Sequence, residues 1–365
     1  PMRPEVAEAM RPFQDEIFGN PSGVHEISRR AKDALEEARE RIAHVLGCAP
    51  LEVVFTGGGT ESDNLAVKGA ALASSRRGGV VTVATEHEAV LRSAEFLERL
   101  GCPVTIVGVD EWGVVDPEAV AAAVTDETAV VSVMWANNET GVVQPVAEVA
   151  AAVREASGKA VVHTDAVQAA VSEEVTAAEV DLLTVAAHKL GGPKGVGALV
   201  VRSGIPLEPV VHGGGQELGR RSGTHNVAGA VGLATALELA VADRDRFRRD
   251  VGEARRRFEE RLAEKVLGVV INAPKDRRLV QHSHVRIPGI RNETVLIRLD
   301  RAGVAASAGS ACQSGASSPS HVLTAMGLTP QQSRECLRFS FGWTTRPEDG
   351  DELADAVVAA VDGPA

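Results

Sequence analysis

The segment Val54-Phe-Thr-Gly-Gly-Gly-Thr-Glu-Ser-Asp-Asn64 decides the fold class. The β-rich run Glu52-Val-Val-Phe-Thr56 ends in three glycines, and Thr60 opens a helical pattern through Leu65, Ala66, Gly69 and Ala70. A strand that turns through glycine into a helix is one βα unit. More β-rich runs follow at residues 80–84, 104–107, 129–134, 160–163, 181–185 and 197–202, and helical stretches such as residues 145–156 lie between several of them. The runs are continuous in valine and isoleucine rather than alternating, which fits strands buried on both faces. The expectation is an α/β fold, a mostly parallel sheet between helices.

A change of pattern follows residue 242. Phe247, Val251, Ala254, Phe258 and Leu262 recur in helical steps of three and four. The other face carries Arg244, Arg246, Arg248, Arg249, Arg255, Arg256, Arg257 and Arg261, with Asp and Glu interleaved, and reads as solvated. Shorter strands and helices come after it. At 365 residues the chain exceeds what one core usually holds. The division expected is a large domain over residues 1–242 and a smaller α+β C-terminal domain over residues 243–365.

Bulk properties exclude several classes. Hydrophobic residues make up 44% of the chain, as in ordinary soluble proteins, and no apolar run approaches the ~20 residues that span a bilayer. A net charge of −12 argues against direct nucleic-acid binding, which needs a basic face. Cys48, Cys102, Cys312 and Cys336 show no metal-ligand spacing, so neither a metal site nor a disulfide framework is expected. The start PMRPEVAEAM has no signal-peptide apolar region, and the expected location is the reducing cytoplasm.

Several stretches carry chemistry. The glycines before Thr60 suit a phosphate, because a helix start offers unpaired N–H groups and a positive dipole end; the alternative is a glycine turn capped by Thr60. In Val162-His-Thr-Asp-Ala-Val-Gln168 an acid ends a buried strand, which is costly unless paired. Asp165 would face a cationic ring nitrogen and Gln168 a ring oxygen, or Asp165 merely caps the turn. In Ala186-Ala-His-Lys-Leu-Gly-Gly-Pro-Lys-Gly-Val-Gly197, Lys189 follows a strand that reads as buried, where lysine is disfavoured. It is either part of a solvated turn or the carrier of covalent chemistry. If anion site, acid and lysine converge at the carboxyl edge of one sheet, pyridoxal phosphate (PLP) explains all three. Burial would also make Lys189 a better amine nucleophile.

Four further stretches fit the same centre. His87, in Thr85-Glu-His-Glu-Ala-Val90, either stacks on a ring and moves protons or is structural. Trp135-Ala-Asn-Asn-Glu-Thr-Gly141 holds polar substrate atoms or forms a turn. The irregular loop from Gly213 to Thr224, rich in glycine and arginine, is functional or simply a surface loop. Cys312 lies in Ala306-Ser-Ala-Gly-Ser-Ala-Cys-Gln-Ser-Gly-Ala-Ser-Ser-Pro-Ser320, small flexible residues that suit a reactive thiol, whereas the other three cysteines read as packing. In Leu337-Arg-Phe-Ser-Phe-Gly342, Arg338 forks onto a substrate carboxylate or makes a surface ion pair.

In order along nearly the whole chain, NPSGVH, VFTGGGTESDN, TEHEAV, NNETG, TDAVQ, HKLGGPKG, HGGGQELGRRSGT, SAGSACQSG and LRFSFG closely resemble the NifS/IscS-type cysteine desulfurases, in the class V, fold-type-I branch of PLP-dependent enzymes. The resemblance implies that PLP is bound, with Lys189 as Schiff-base lysine, Asp165 on the pyridinium nitrogen and Gln168 on the ring hydroxyl. His87 would stack on the ring as acid/base. Gly59, Thr60 and His188 would hold the phosphate, together with Thr224 from the partner subunit of a homodimer. Asn138 and Arg338 would bind the carboxylate of L-cysteine. Cys312 would take its sulfur as a persulfide, leaving alanine, for delivery to an acceptor protein. The cysteine stretch resembles that of the group with a mobile loop.

Two departures stand out. Members usually carry a serine three residues before the lysine, helping to hold the phosphate; here it is Ala186. A hydrogen bond to a charged group is worth roughly 1.5–3 kcal/mol, which implies a weaker hold on PLP unless another group compensates. Members also usually begin with a strand and an Ala-Thr-Thr-type turn, which this sequence lacks. Rival readings are a selenocysteine lyase, an aminotransferase or an epimerase of the same class, and a non-catalytic scaffold.

Overall fold

The computed structural model describes residues 1–74, 78–309 and 319–363. The chain forms two units. The first takes residues 1–107, 115–135 and 145–243; the second takes residues 108–114 and 136–144 and everything from Arg244 onward. Two short segments that the sequence reading assigned to the large domain thus belong with the second unit.

The first unit is built on seven strands: β1 (Val53–Thr56), β2 (Gly79–Val83), β3 (Val104–Val107), β4 (Thr128–Ser132), β5 (Val161–Asp165), β6 (Leu182–Ala186) and β7 (Gly197–Val201). Their order is β1-β7-β6-β5-β4-β2-β3. Strands β2 to β6 run parallel, and β7 is antiparallel to both β1 and β6. All residues of β2, β6 and β7 are buried, as their continuous valine and leucine runs require in a sheet covered on both faces. At the edge, β3 leaves Thr105 and Ile106 exposed.

Helices close this unit. Gly59–Ala73 lies against β1, β2 and β4 to β7 and against the helix Glu88–Arg99. Val227–Ala242, apolar on most of its circumference, packs on Glu26–Leu46 and Pro4–Met10. The helix Val146–Ala156 starts one residue after the position read from sequence.

In the second unit an antiparallel sheet of order β10-β9-β8 joins β8 (Val270–Ile271), β9 (His282–Arg286) and β10 (Cys336–Ser340). The helix Arg244–Lys265 buries Phe247, Val251, Ala254, Phe258 and Leu262, the five positions read from its periodicity. Its arginines meet acids: Arg256 bonds Glu253 and Glu260, Arg257 pairs with Asp351, and Arg261 with Asp355 at 2.6 Å. None of the described helices is long and apolar enough to cross a membrane.

Candidate active site

The site begins at the glycine turn between β1 and the helix Gly59–Ala73. Gly58 has φ +142°, a backbone state that residues with side chains rarely adopt. Thr56 Oγ1 lies 2.7 Å from Ser62 Oγ, so the strand end is tied to the first helical turn. The acid in that turn is compensated: Glu61 accepts from Gly57 N–H at 2.8 Å and pairs with Arg221 at 2.7 Å. The positive end of the helix dipole therefore remains available to an anion. Thr60 is exposed beside it. A Cβ added to Gly59 would lie 2.9 Å from Val167 and 3.7 Å from Ala186, so the helix start lies directly against the turn after β5 and the end of β6.

Asp165 is the last residue of β5 and is paired in register with Thr184 of β6. It is 6% exposed and accepts a hydrogen bond from Val167 N–H at 2.9 Å. Burial raises its pKa, against the opposing pull of that N–H and of the nearby positive charge of His87 and Lys189. Both side chains are therefore within electrostatic reach of the acid. A buried carboxyl whose ionisation is disfavoured needs a cation against it, and a protonated ring nitrogen supplies one.

His87 caps the helix Glu88–Arg99, its Nδ1 accepting from Ala89 N–H at 3.1 Å. The neutral ring therefore carries its proton on Nε2. Gln168 is half-buried and precedes the short turn Ala169–Val171. Lys189 departs from expectation. Strand β6 stops at Ala186, and Lys189 closes a 3₁₀ turn, Ala187–Lys189, where both it and His188 are exposed. The turn forms because Ala187 N–H bonds Val196 and both Leu190 and Gly192 bond back to the carbonyl of Ala187. The burial expected of this lysine is therefore not what the described structure has. Although His188 is exposed at its surface, partial desolvation of its ring and the nearby charges of Lys189 and Lys194 lower its pKa.

Beneath Asp165 lies a polar layer that the sequence reading did not single out. His163 Nδ1 is 2.8 Å from Ser132 Oγ, and its Nε2 is 3.1 Å from Thr184 Oγ1 and 3.7 Å from Asp63. All four residues are essentially without solvent exposure. Burial pushes the His163 pKa down to about 3. It pushes Asp63 well up, reinforced by Asp165, against a hydrogen bond from Thr184. Burial thus disfavours the charged form of both His163 and Asp63. Glu86, in the same stretch as His87, accepts from Met134 N–H at 2.5 Å and is also pushed well up by burial. One signal was legible for Asp63: it precedes the buried Ala66 and Ala70 at steps of three and four.

Asn138 and Arg338 belong to the second unit, where Arg338 Nη1 donates to the carbonyl of Asn138 at 2.9 Å and of Gly309 at 3.2 Å. Thr224 is exposed at the end of its loop. The loop is irregular: its short turn Glu217–Gly219 carries positive φ at Glu217 and Leu218. Cys312 lies outside the described residues. Cys102 and Cys336 are buried and Cys48 is half-buried, consistent with packing; burial pushes Cys336 to about 12 and Cys48 to about 11. No group of His, Cys, Asp and Glu suited to a metal occurs among the described residues.

An anion-binding helix start, a buried acid in need of a cation and a lysine turn, all at the carboxyl ends of parallel strands, fit PLP. Fold and site define a fold-type-I PLP-dependent enzyme. The chain belongs to the class-V aminotransferase family, whose model matches residues 1–353. It is 41% identical over 360 residues to a protein of Dictyoglomus turgidum named cysteine desulfurase IscS, covering 98% of this chain and 91% of that one. It is 42% identical to a Bacillus subtilis protein named putative cysteine desulfurase IscS 1, covering 99% and 96%. Among solved structures, a NifS-like protein aligns with a TM-score of 0.91 and 35% identity over 98% of this chain and 95% of its own. SspA in complex with cysteine aligns with a TM-score of 0.81 and 34% identity over 94% and 96%.

Proposed function

We propose that the protein is a cysteine desulfurase that converts L-cysteine to L-alanine and keeps the sulfur as a persulfide on Cys312. The observation that carries this reading is the convergence of Asp165, His87 and Lys189 beside the Gly59 helix start, in a chain whose relatives are named for that activity. Bound PLP supplies the electron sink that lets bonds at the substrate's α and β carbons be remade.

Each residue then has a task. Lys189 would hold the cofactor and would move the proton at the substrate's α carbon. Asp165 keeps the ring nitrogen protonated, and Gln168 bonds the ring oxygen. His87 would lie against the ring, with Nε2 free of the capping bond that occupies Nδ1 and so the nitrogen from which it would deliver a proton. Gly59, Thr60 and His188 bind the phosphate, joined by Thr224 of a second copy, so the working form is a homodimer. Asn138 and Arg338 grip the substrate carboxylate; the two carbonyls on Arg338 Nη1 fix the plane of its guanidinium. The Cys312 thiolate attacks the substrate sulfur. An S–S bond forms and the C–S bond breaks, with its electron pair passing to the β carbon. Protonation there completes alanine, so the transfer balances without an external oxidant. The persulfide then passes to an acceptor protein in the cytoplasm.

The test is release of alanine and sulfide from L-cysteine, with reductant and added PLP, for the native enzyme, Lys189→Ala and Cys312→Ser. Equal amounts of both products, lost in both variants, are expected. Full activity in Cys312→Ser would overturn the persulfide route and favour an aminotransferase-type reaction.

A further inference from the structure

The loop that ends at Thr224 is closed on itself. Ser222 N–H bonds the Val211 carbonyl at 3.1 Å, and Gly215 N–H bonds Ser222 Oγ at 3.2 Å. Gly223 N–H donates to Gln216 Oε1 at 2.9 Å, and His225 Nε2 lies 2.9 Å from Glu217 Oε1. The residues on either side of Thr224 are thus each held by one of two adjacent side chains, Gln216 and Glu217. Thr224 stands exposed between them. Gly223 has φ +117°, so the turn into Thr224 takes a conformation that admits a side chain only with strain.

Glu217 is itself anchored to regular structure. Its carboxylate accepts from Arg39 Nη1 and Nη2 at 2.8 and 3.0 Å and from Phe55 N–H at 3.0 Å. A two-pronged bond of this kind fixes orientation as well as distance. Arg39 belongs to the helix Glu26–Leu46, donates to the Val53 carbonyl at 2.5 Å and lies over the Phe55 ring. Val53 and Phe55 are residues of β1, the strand that leads into the Gly59 helix start. The side chains of Glu217 and Arg39 are 1% and 8% exposed. To place this carboxylate the backbone adopts φ +49° at Glu217. Strain of that sort persists only where the surroundings over-determine it, and it gathers at functional sites.

We propose that Glu217 is a positioning residue: anchored on Arg39 and β1, it holds His225 and so fixes where the Thr224 hydroxyl meets the PLP phosphate bound by a second copy of the chain. The proposal rests on the homodimeric reading given above, in which Thr224 completes that phosphate site. Glu217 acts on the cofactor through Thr224 alone, so removing Thr224 removes its effect.

The experiment titrates the full chain, stripped of cofactor, with PLP and reads the dissociation constant from the visible absorption of bound PLP. The variants are Thr224→Ala, Glu217→Ala, Glu217→Gln and the double variant Thr224→Ala with Glu217→Ala. Thr224→Ala should raise the constant about 10–100-fold, the worth of one hydrogen bond to a charged group. Glu217→Ala should raise it about tenfold in the native background but less than about twofold when Thr224 is already gone, because the two changes remove one and the same interaction. Glu217→Gln keeps an oxygen for Arg39 and Phe55, and its constant should fall between those of the native chain and Glu217→Ala. If Glu217→Ala fails to fold, His225→Ala, which breaks only the bond beside Thr224, takes its place. Native affinity in Glu217→Ala would overturn the positioning role and leave Thr224 on the phosphate. The same factor in both backgrounds, as a merely structural residue would give, would overturn it too. Native affinity in Thr224→Ala would overturn the assignment of Thr224 to the phosphate, and the positioning role with it.

Discussion

Replacing Glu217 by alanine should destabilise the first unit by about 3–5 kcal/mol, the usual cost of removing one partner from a buried ion pair. Glu217 lies in the loop that ends at Thr224, and its side chain is 1% exposed. Its carboxylate accepts from Arg39 Nη1 and Nη2 at 2.8 and 3.0 Å, from Phe55 N–H at 3.0 Å and from His225 Nε2 at 2.9 Å. The backbone pays a conformational cost to deliver it, since Glu217 and Leu218 have φ of 49° and 56°. Each such residue costs about 1–3 kcal/mol, whereas each hydrogen bond to a charged group contributes roughly 1.5–3 kcal/mol. With four such bonds on the carboxylate, the side chain wins and holds the turn. Burial alone would raise the pKa of Glu217, but the bonds from His225, Arg39 and Phe55 lower it from 4.5 to about 2. That depression is worth about 3 kcal/mol. A depressed acid contributes its full stabilisation above its unfolded pKa and loses it as pH falls through the folded one. The stability gap between the native chain and Glu217→Gln, measured by urea unfolding, should therefore shrink by about half between pH 7 and pH 3. A loss below about 1 kcal/mol in Glu217→Ala, in the range of an exposed pair, would refute the reasoning. So would a Gln gap independent of pH.

Ala186→Ser should tighten PLP, because it restores a hydroxyl at the buried end of β6 facing the Gly59 helix start; one hydrogen bond to a charged group corresponds to about a 10–100-fold lower dissociation constant, and an unchanged constant would contradict that placement. Phe258→Ala should cost about 3–5 kcal/mol, since the ring is fully buried with centroids 4.9 Å from Phe339 and 6.2 Å from Phe341; a loss under about 1 kcal/mol in chemical unfolding would contradict it. Asp63→Asn should leave the apo-protein at least as stable as the native chain at pH 8. Its pKa is raised in the fold by burial and by Asp165, so Asp63 subtracts stability as pH rises above its ordinary value. A destabilisation that grows with pH would show that Asp63 is ionised instead.

Parts of this protein were legible in its sequence for identifiable reasons. Strands such as β2 and β6 announced themselves through unbroken valine and leucine, because burial on both faces removes any need for polar alternation. The helix Arg244–Lys265 showed its core positions because one face alone is buried. The convergence of Asp165 with His87 and Lys189 followed from placing each near the carboxyl end of a parallel strand. Three features were not legible. A sequence cannot tell that a strand ends three residues before its lysine, so the exposure of Lys189 was missed. Residues 108–114 and 136–144 are short connections without a change of composition, and nothing local marks them as part of the second unit. The layer of Ser132, His163, Thr184 and Asp63 draws on three strands and a helix, and only the register of β4, β5 and β6 brings it together.

The most direct test of the account is the fate of the substrate's sulfur. The PLP-loaded protein would be mixed with L-cysteine for a single turnover, the thiols blocked by alkylation, and the cysteine-bearing peptides weighed. The account predicts one added sulfur on the peptide containing Cys312, matched by one equivalent of alanine, with Cys48, Cys102 and Cys336 unchanged. Alanine formed without added sulfur on Cys312, or sulfur found on another cysteine, would contradict it.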